Sequence, residues 1–222
     1  VCTLPEAPRG VHVLGRGRRT EVYVAGNAGT VMRCRPSRSG STFGVQWLVN
    51  TGIRFNQQDV TVSRSSRALY VSTPPNSISW SGSPYESAVL KWDKSRQLDD
   101  TFSTSSLPKG TVPGIVASTD GKSLYVLFLG MSYFPKSRLY KVDAFSGETL
   151  DYVDIGSGGY YPGGALNINK RGEIWFSRTL ERRNGSLISL YGKITDRTTA
   201  LAAKMAATDQ VDFEVEPNTS ST

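Results

Sequence analysis

Few side chains in this sequence could do covalent chemistry, and they are scattered. There is one histidine, His12, in the stretch VHVL, and no Gly-x-Ser-x-Gly turn offers it a nucleophile. A Ser-His-acid relay needs a base within hydrogen-bond reach of an activated hydroxyl or thiol, so His12 reads as structural and no catalytic residue is assigned. Hard-cation chemistry is the alternative: Asp59, Asn167 and Asp212 offer carboxylate and amide oxygens of the kind calcium takes. Their spacing defines no site, so no metal ligand is assigned and calcium is kept as an alternative expectation. Two glycine-rich stretches, GRG at 15–17 and GSGG at 156–159, precede no helical pattern, which rejects a phosphate-binding loop. Cys2 and Cys34 match neither a zinc site nor a redox Cys-x-x-Cys, leaving one disulfide or two buried thiols open.

The remaining chemistry is charge and aromatic surface. Lys and Arg number 26 against 19 Asp and Glu, a formal charge of +7 with a pI near 9.5. That balance suits a polyanion, an acidic glycan or an anionic surface, or simple solubility. No apolar run is long enough to span a membrane as a helix. The chain opens VCTLPEAP with no Met and no leader-like pattern, so any signal peptide is expected to lie outside it. Asn184-Gly-Ser and Asn218-Thr-Ser are glycosylation sequons that would suit a secreted protein.

Short strands must position these groups. Alternating apolar, β-branched and aromatic residues mark VHVL, EVYVA, TVMRCR and FGVQWLV, separated by Gly, Ser, Arg and Pro clusters. The same run of four recurs: DVTV, ALYVS, AVLKWD and QLDDTF; then GIVA, SLYVLFL, SRLYKVD and TLDYVDI; then GALNI, EIWFS, LISLYGKIT and ALAAKMAA. The last segment also suits a helix by propensity, and the repeat argues for strand. Each second strand carries an apolar-aromatic-apolar triplet centred on Tyr23, Tyr70, Tyr125 or Trp175. Each third strand carries a cation: Arg33, Lys91, Lys141 or Lys193. A period of about fifty residues with four strands per unit predicts an all-β chain of β-propeller blades.

The expected blades span 8–50, 58–103, 113–156 and 163–207, with terminal half-blade strands at 1–5 and 210–216. They form one propeller domain over 1–222 or a contiguous part of a larger one. The end strands VCTL and VDFEV would either belong to further blades or join to close a small ring. VDFEV reads as the first strand of a next blade. Cys2 on a fourth strand and Cys34 on the third strand of the next blade make a candidate disulfide, provided blade stacking brings their Cα atoms within about 7 Å.

These units resemble the open group of propeller repeats that includes NHL-like and YVTN-like blades of bacterial and eukaryotic surface proteins. AVLKWDKSRQLDDTF at 88–102 is also similar to the delta-sixty repeat, whose units end in Leu-Asp-x-x-Phe, and ASTDGKSLYV at 117–126 fits the start of either. The resemblance covers the second and third units well and the others loosely. It implies a propeller with an extracellular, binding or scaffolding role and carries no catalytic residues. Lactonase-type propeller enzymes, which hold calcium with channel Glu, Asn and Asp, are the enzymatic alternative.

Blade topology sorts the loops onto two faces. One face would carry the one-two turns, with Arg16, Arg18, Arg19, Arg64, Arg67, Lys122, Lys170 and Arg171, and the three-four turns, with Arg35, Arg38, Lys94, Arg96 and Arg197. Guanidinium forks there suit phosphate, sulfate or carboxylate. The other face would carry Trp80, Tyr85, Tyr133, Phe134, Tyr160 and Tyr161 on Gly/Ser/Pro-rich loops, which suits glycan or protein contacts. The expected role is a non-catalytic module in a surface, filament or virion assembly, extracellular, with protein subunits or glycans as partners and a polyanion as a further one. A channel-calcium hydrolase and a ribonucleoprotein scaffold are the rival functions.

Overall fold

A computed structural model describes residues 4–37, 43–52, 59–73, 88–108, 111–129, 136–157, 164–181, 187–196, 201–207 and 212–215. Among these there is no α-helix; a single 3-10 turn, Gly17–Arg19, interrupts a succession of strands. Two compact units divide the chain, Val1–Lys109 and Gly110–Thr222.

In the first unit β1 (Pro8–Leu14), β2 (Glu21–Gly26), β3 (Thr30–Pro36) and β4 (Phe43–Asn50) form one sheet in chain order. A second sheet holds β5 (Val60–Val62), β6 (Leu69–Ser72) and β7 (Val89–Trp92), again in chain order. Alternation puts Leu14, Tyr23, Ala25 and Val31 on one face of the first sheet, and they pack against Val60, Val62, Leu69, Val71, Leu90 and Trp92 of the second. The expected fourth strand QLDDTF does not form. Among the described residues its ladder contact is one isolated bridge, between Trp92 and Leu98. Asp99 is the cause, because its Oδ1 accepts hydrogen bonds from the backbone N–H and the hydroxyl of Thr101, which curls the chain into a turn. Phe102 beyond the turn is buried and meets Tyr70 edge-on at 5.7 Å. The Leu-Asp-x-x-Phe element thus closes the blade with an anchor instead of a strand.

The second unit has β8 (Thr111–Ala117), β9 (Ser123–Leu129), β10 (Lys136–Asp143) and β11 (Thr149–Ser157) in one sheet. The other sheet holds β12 (Gly164–Ile168), β13 (Ile174–Glu181), β14 (Leu187–Asp196), β15 (Leu201–Ala207) and β16 (Asp212–Val215). Val116, Leu127, Leu139, Val153 and Ile155 of the first pack on Leu166, Ile174, Phe176, Ile194 and Leu201 of the second. Each such aliphatic side chain contributes about 1.5–3 kcal/mol by leaving water. The two first strands run close together. A β-carbon on Gly114 of β8 would stand 2.9 Å from Cβ and N of Leu166 on β12, so only glycine fits. Of the helix-prone ALAAKMAA, Leu201–Ala207 is strand β15, because pairing with β14 overrides propensity. VDFEV opens no new blade: β16 pairs antiparallel with β15 as the fifth strand of the same sheet.

The chain is therefore all-β and built of propeller blades, each an antiparallel meander in strict sequence order whose inner face packs on its neighbour. Turn chemistry fixes the registers. Asp120 Oδ1 accepts from Lys122 N at 3.0 Å before β9, and Asp143 Oδ1 accepts from Phe145 and Ser146 N at 2.8 Å before β11. Gly121 and Gly147 take the left-handed positions in these turns.

Candidate functional site

The repeated aromatic and the repeated cation turn out to face each other. Tyr23 is opposite Arg33, Tyr70 opposite Lys91, Tyr125 opposite Lys141 and Trp175 opposite Lys193. Each cation also finds an acid. Lys91 meets Asp99 at 2.9 Å, Lys141 meets Asp196 at 2.9 Å, and Lys193 pairs with Glu173. Three blades therefore balance the cation one to one.

The first blade does not. Glu21, at the start of β2 with a side chain 10 % exposed, is the shared counter-ion of Arg33 (3.6 Å), Arg35 and Arg67. The Tyr23 hydroxyl donates to Glu21 Oε2 at 2.9 Å and accepts from Arg67 at 3.0 Å. Burial opposes charge on Glu21, but the hydrogen bonds from Arg67, Tyr23 and Arg35 outweigh it and hold the pKa at about 2. Three guanidinium groups to one carboxylate leave an excess of positive charge at this end of the unit. Arg96 lies close by, and burial pulls its pKa below the usual arginine range.

The backbone reinforces this arrangement. Arg67 (φ 61°) and Arg96 (φ 67°) occupy left-handed conformations in turns whose counterparts in the second unit use glycine. A non-glycine residue there costs about 1 kcal/mol or more and persists only where its surroundings hold it. Arg67 is held by Glu21 and Tyr23. Arg96 donates to the Arg67 carbonyl at 3.2 Å, tying the two turns together. Beside this cluster lies a cavity of about 390 Å³ lined by Arg33, Arg35, Pro36, Ser37, Gly44, Val45 and Gln46.

The structure thus separates the predicted basic residues by role. Arg67 is tied to the shared carboxylate of Glu21, whereas Arg16, Arg19, Arg64, Lys122, Lys170 and Arg171 are exposed in turns and make no ion pair among the described residues. Arg18 lies in the Gly17–Arg19 turn. In the first unit Arg67 reaching Glu21 joins the turn at 63–68 to the start of β2, so Arg16, Arg19 and Arg64 share an end with the arginine cluster. Arg38 and Arg197 lie outside the described residues, as do all six predicted aromatic contacts, Trp80, Tyr85, Tyr133, Phe134, Tyr160 and Tyr161, and both sequons, Asn184 and Asn218. Cys34 is buried on β3; Cys2 lies outside the described residues. Sequence reasoning missed the cavity and the part Glu21, Gly44 and Gln46 play around it. The one signal for it was Arg33, visible as a repeat position but not as an unbalanced charge.

His12 sits on β1 with Nδ1 3.3 Å from Thr61 Oγ1 of β5. Its Nε2 is buried with no partner among the described residues. Of the oxygen ligands considered, Asp59 bonds the backbone N of Val60 and Asn167 is exposed on β12. Asp212 does not lie on a first strand, since β16 is at the opposite edge of the sheet from β12. Among the described residues no group of three or more His, Cys, Asp or Glu stands together, and no helix is long and apolar enough to cross a membrane.

No protein-family model matches the chain, and a search of curated proteins returns no match. Solved structures resemble it at low identity. One is a candidate 6-phosphogluconolactonase from Bacteroides uniformis (16 % identity, TM-score 0.44), with 93 % of this chain and 56 % of that one covered. Another is KlHsv2 with loop 6CD replaced by a Gly-Ser linker (10 %, 0.47), with 98 % and 72 % covered. A third is the β-propeller domain of the Trilobed protease from Pyrococcus furiosus (8 %, 0.43), with 93 % and 58 % covered. The chain thus spans little more than half the length of the first and third. At these scores the likeness carries no argument, and the blade architecture rests on strand order and register.

Proposed function

We propose that this chain is a non-catalytic, extracellular binding module of propeller blades that docks an anionic glycan through the turn-bearing end of its first unit. The observation that supports it is the convergence of Arg33, Arg35 and Arg67 on the single carboxylate of Glu21, ringed by exposed Arg16, Arg19 and Arg64. Guanidinium forks that are not neutralised internally are the groups that engage sulfate, phosphate and carboxylate. An extracellular setting accords with a disulfide, and Cys34 is not a free thiol; with two cysteines in the chain, Cys2 is its proposed partner. The aromatic loops supply the contacts to neighbouring subunits in the assembly.

The test is retention on immobilised heparin as salt is raised. Binding through this end gives a log affinity that falls linearly with log salt, and neutralising Arg16, Arg19 and Arg64 together to Gln lowers the slope by about two to three units. An unchanged slope, or equal retention on an uncharged matrix, would sink the proposal.

A further inference from the structure

The cavity beside the arginine cluster has features that bulk attraction between a basic surface and a polyanion does not need. Arg33 and Arg35 stand two residues apart on β3 and so present to the same face of the sheet. Opposite them on β4 are Gln46 and Gly44 in register. Arg33 donates Nη2 to Gln46 Oε1 and is 13 % exposed; its Nε–H is buried without a partner among the described residues. Arg35 is 52 % exposed, with Nε and one terminal nitrogen turned to Glu21. Gly44 lines the space without filling it, for among the described residues a β-carbon there would meet no atom within 4 Å. At about 390 Å³ the space lies toward the small end of ligand sites, with room for one sugar-sized group.

We infer that this cavity is a discrete site for one phosphate monoester carried on a small sugar-like group, with Arg35 as its half-exposed guanidinium and the Arg33 and Gln46 side chains as its inner wall. The inference rests on the anion-docking reading above. Charge selects the class. Three guanidinium groups share one carboxylate, so the two uncompensated charges are matched by a dianion better than by a single carboxylate, and a phosphate monoester carries about −1.5 to −2.

The experiment titrates the whole chain with inorganic phosphate, inorganic sulfate and acetate at constant ionic strength, by calorimetry or amide chemical shifts. Phosphate or sulfate should saturate at one site and acetate should bind at least about tenfold more weakly. Gly44→Leu, which adds bulk to the lining without removing a charge, should weaken the oxyanion at least about tenfold. Should that variant unfold, Arg35→Gln serves, and the same loss is expected of it. A hexose phosphate should outcompete the matched hexose sulfate, whose ester carries a single charge, and the reverse order overturns the inference. Wild-type affinity in the folded variant, acetate binding as tightly, or no saturation overturns the inference. Retention on heparin alongside no saturation overturns it while leaving the proposed function standing; loss of retention overturns both.

Discussion

Acid should loosen the first unit through one side chain, because the chain has a single histidine. His12 faces Thr61 of β5 and is paired opposite Tyr23 of β2, and burial lowers its pKa from 6.5 to about 4. A folded pKa below the unfolded one means that the unfolded chain takes up the proton first. Stability is therefore full above about pH 6.5, falls as pH falls, and is wholly lost only below about pH 4. The full shift corresponds to about 3 kcal/mol, of which about 2 kcal/mol falls between pH 7 and pH 5. Glu21, Asp99, Asp120 and Glu173 have pKa values depressed below the ordinary carboxylate range, so their losses come at lower pH. Urea denaturation of the wild type and of His12→Asn across that window isolates the effect. The wild-type midpoint should slide down with acid while the variant, less stable throughout, stays flat. Parallel profiles would show that His12 is not held neutral between the sheets, and the packing of β1 on β5 would need another account.

Three more perturbations follow from the packing. Glu21→Gln leaves three arginines without their anion and should cost about 3–5 kcal/mol by urea denaturation at neutral pH, while near pH 2, where the carboxylate protonates, the gap to wild type should close. Gly114→Ala drives a methyl into the Leu166 backbone and should cost about 1–3 kcal/mol; a thermal midpoint equal to wild type would mean the first strands of the second unit separate freely. Tyr125→Phe removes the hydroxyl that donates to Asp196, whose pKa is pushed up first by burial and then by that carboxylate; a loss of about 1–2 kcal/mol is expected, and no loss would place the bond among decorations.

What the sequence made legible was what local chemistry decides. Period-two alternation found the strands, and the Asp-Gly and Ser-Gly turns found their order, down to the exact span of GALNI as β12. QLDDTF misled because its apolar ends alternate like a strand, whereas Asp99 closes a turn through Thr101. VDFEV misled because propensity marks a strand but not its partner, and β15 offered an open edge. The basic end was legible as composition but not as energetics. Nothing in the spacing shows that Glu21 lies within reach of Arg67, 46 residues away, or that Arg67 is committed to it while Arg64 is exposed. The cavity was illegible because it depends on the β3–β4 register, which sets Gly44 opposite Arg35 and Gln46 opposite Arg33.

One carboxylate serving three arginines also has a consequence for how the chain can change. Substitutions at Arg33, Arg35 and Arg67 are not independent events, since each alters the field the others feel. The first arginine lost is the most tolerable, because two remain to satisfy Glu21; the last strands a buried acid. Reversed, losing Glu21 first makes every later loss of an arginine beneficial. The mutational history of this corner is therefore order-dependent, and lineages that took the two routes would arrive at blades alike in backbone but opposite in the charge they tolerate.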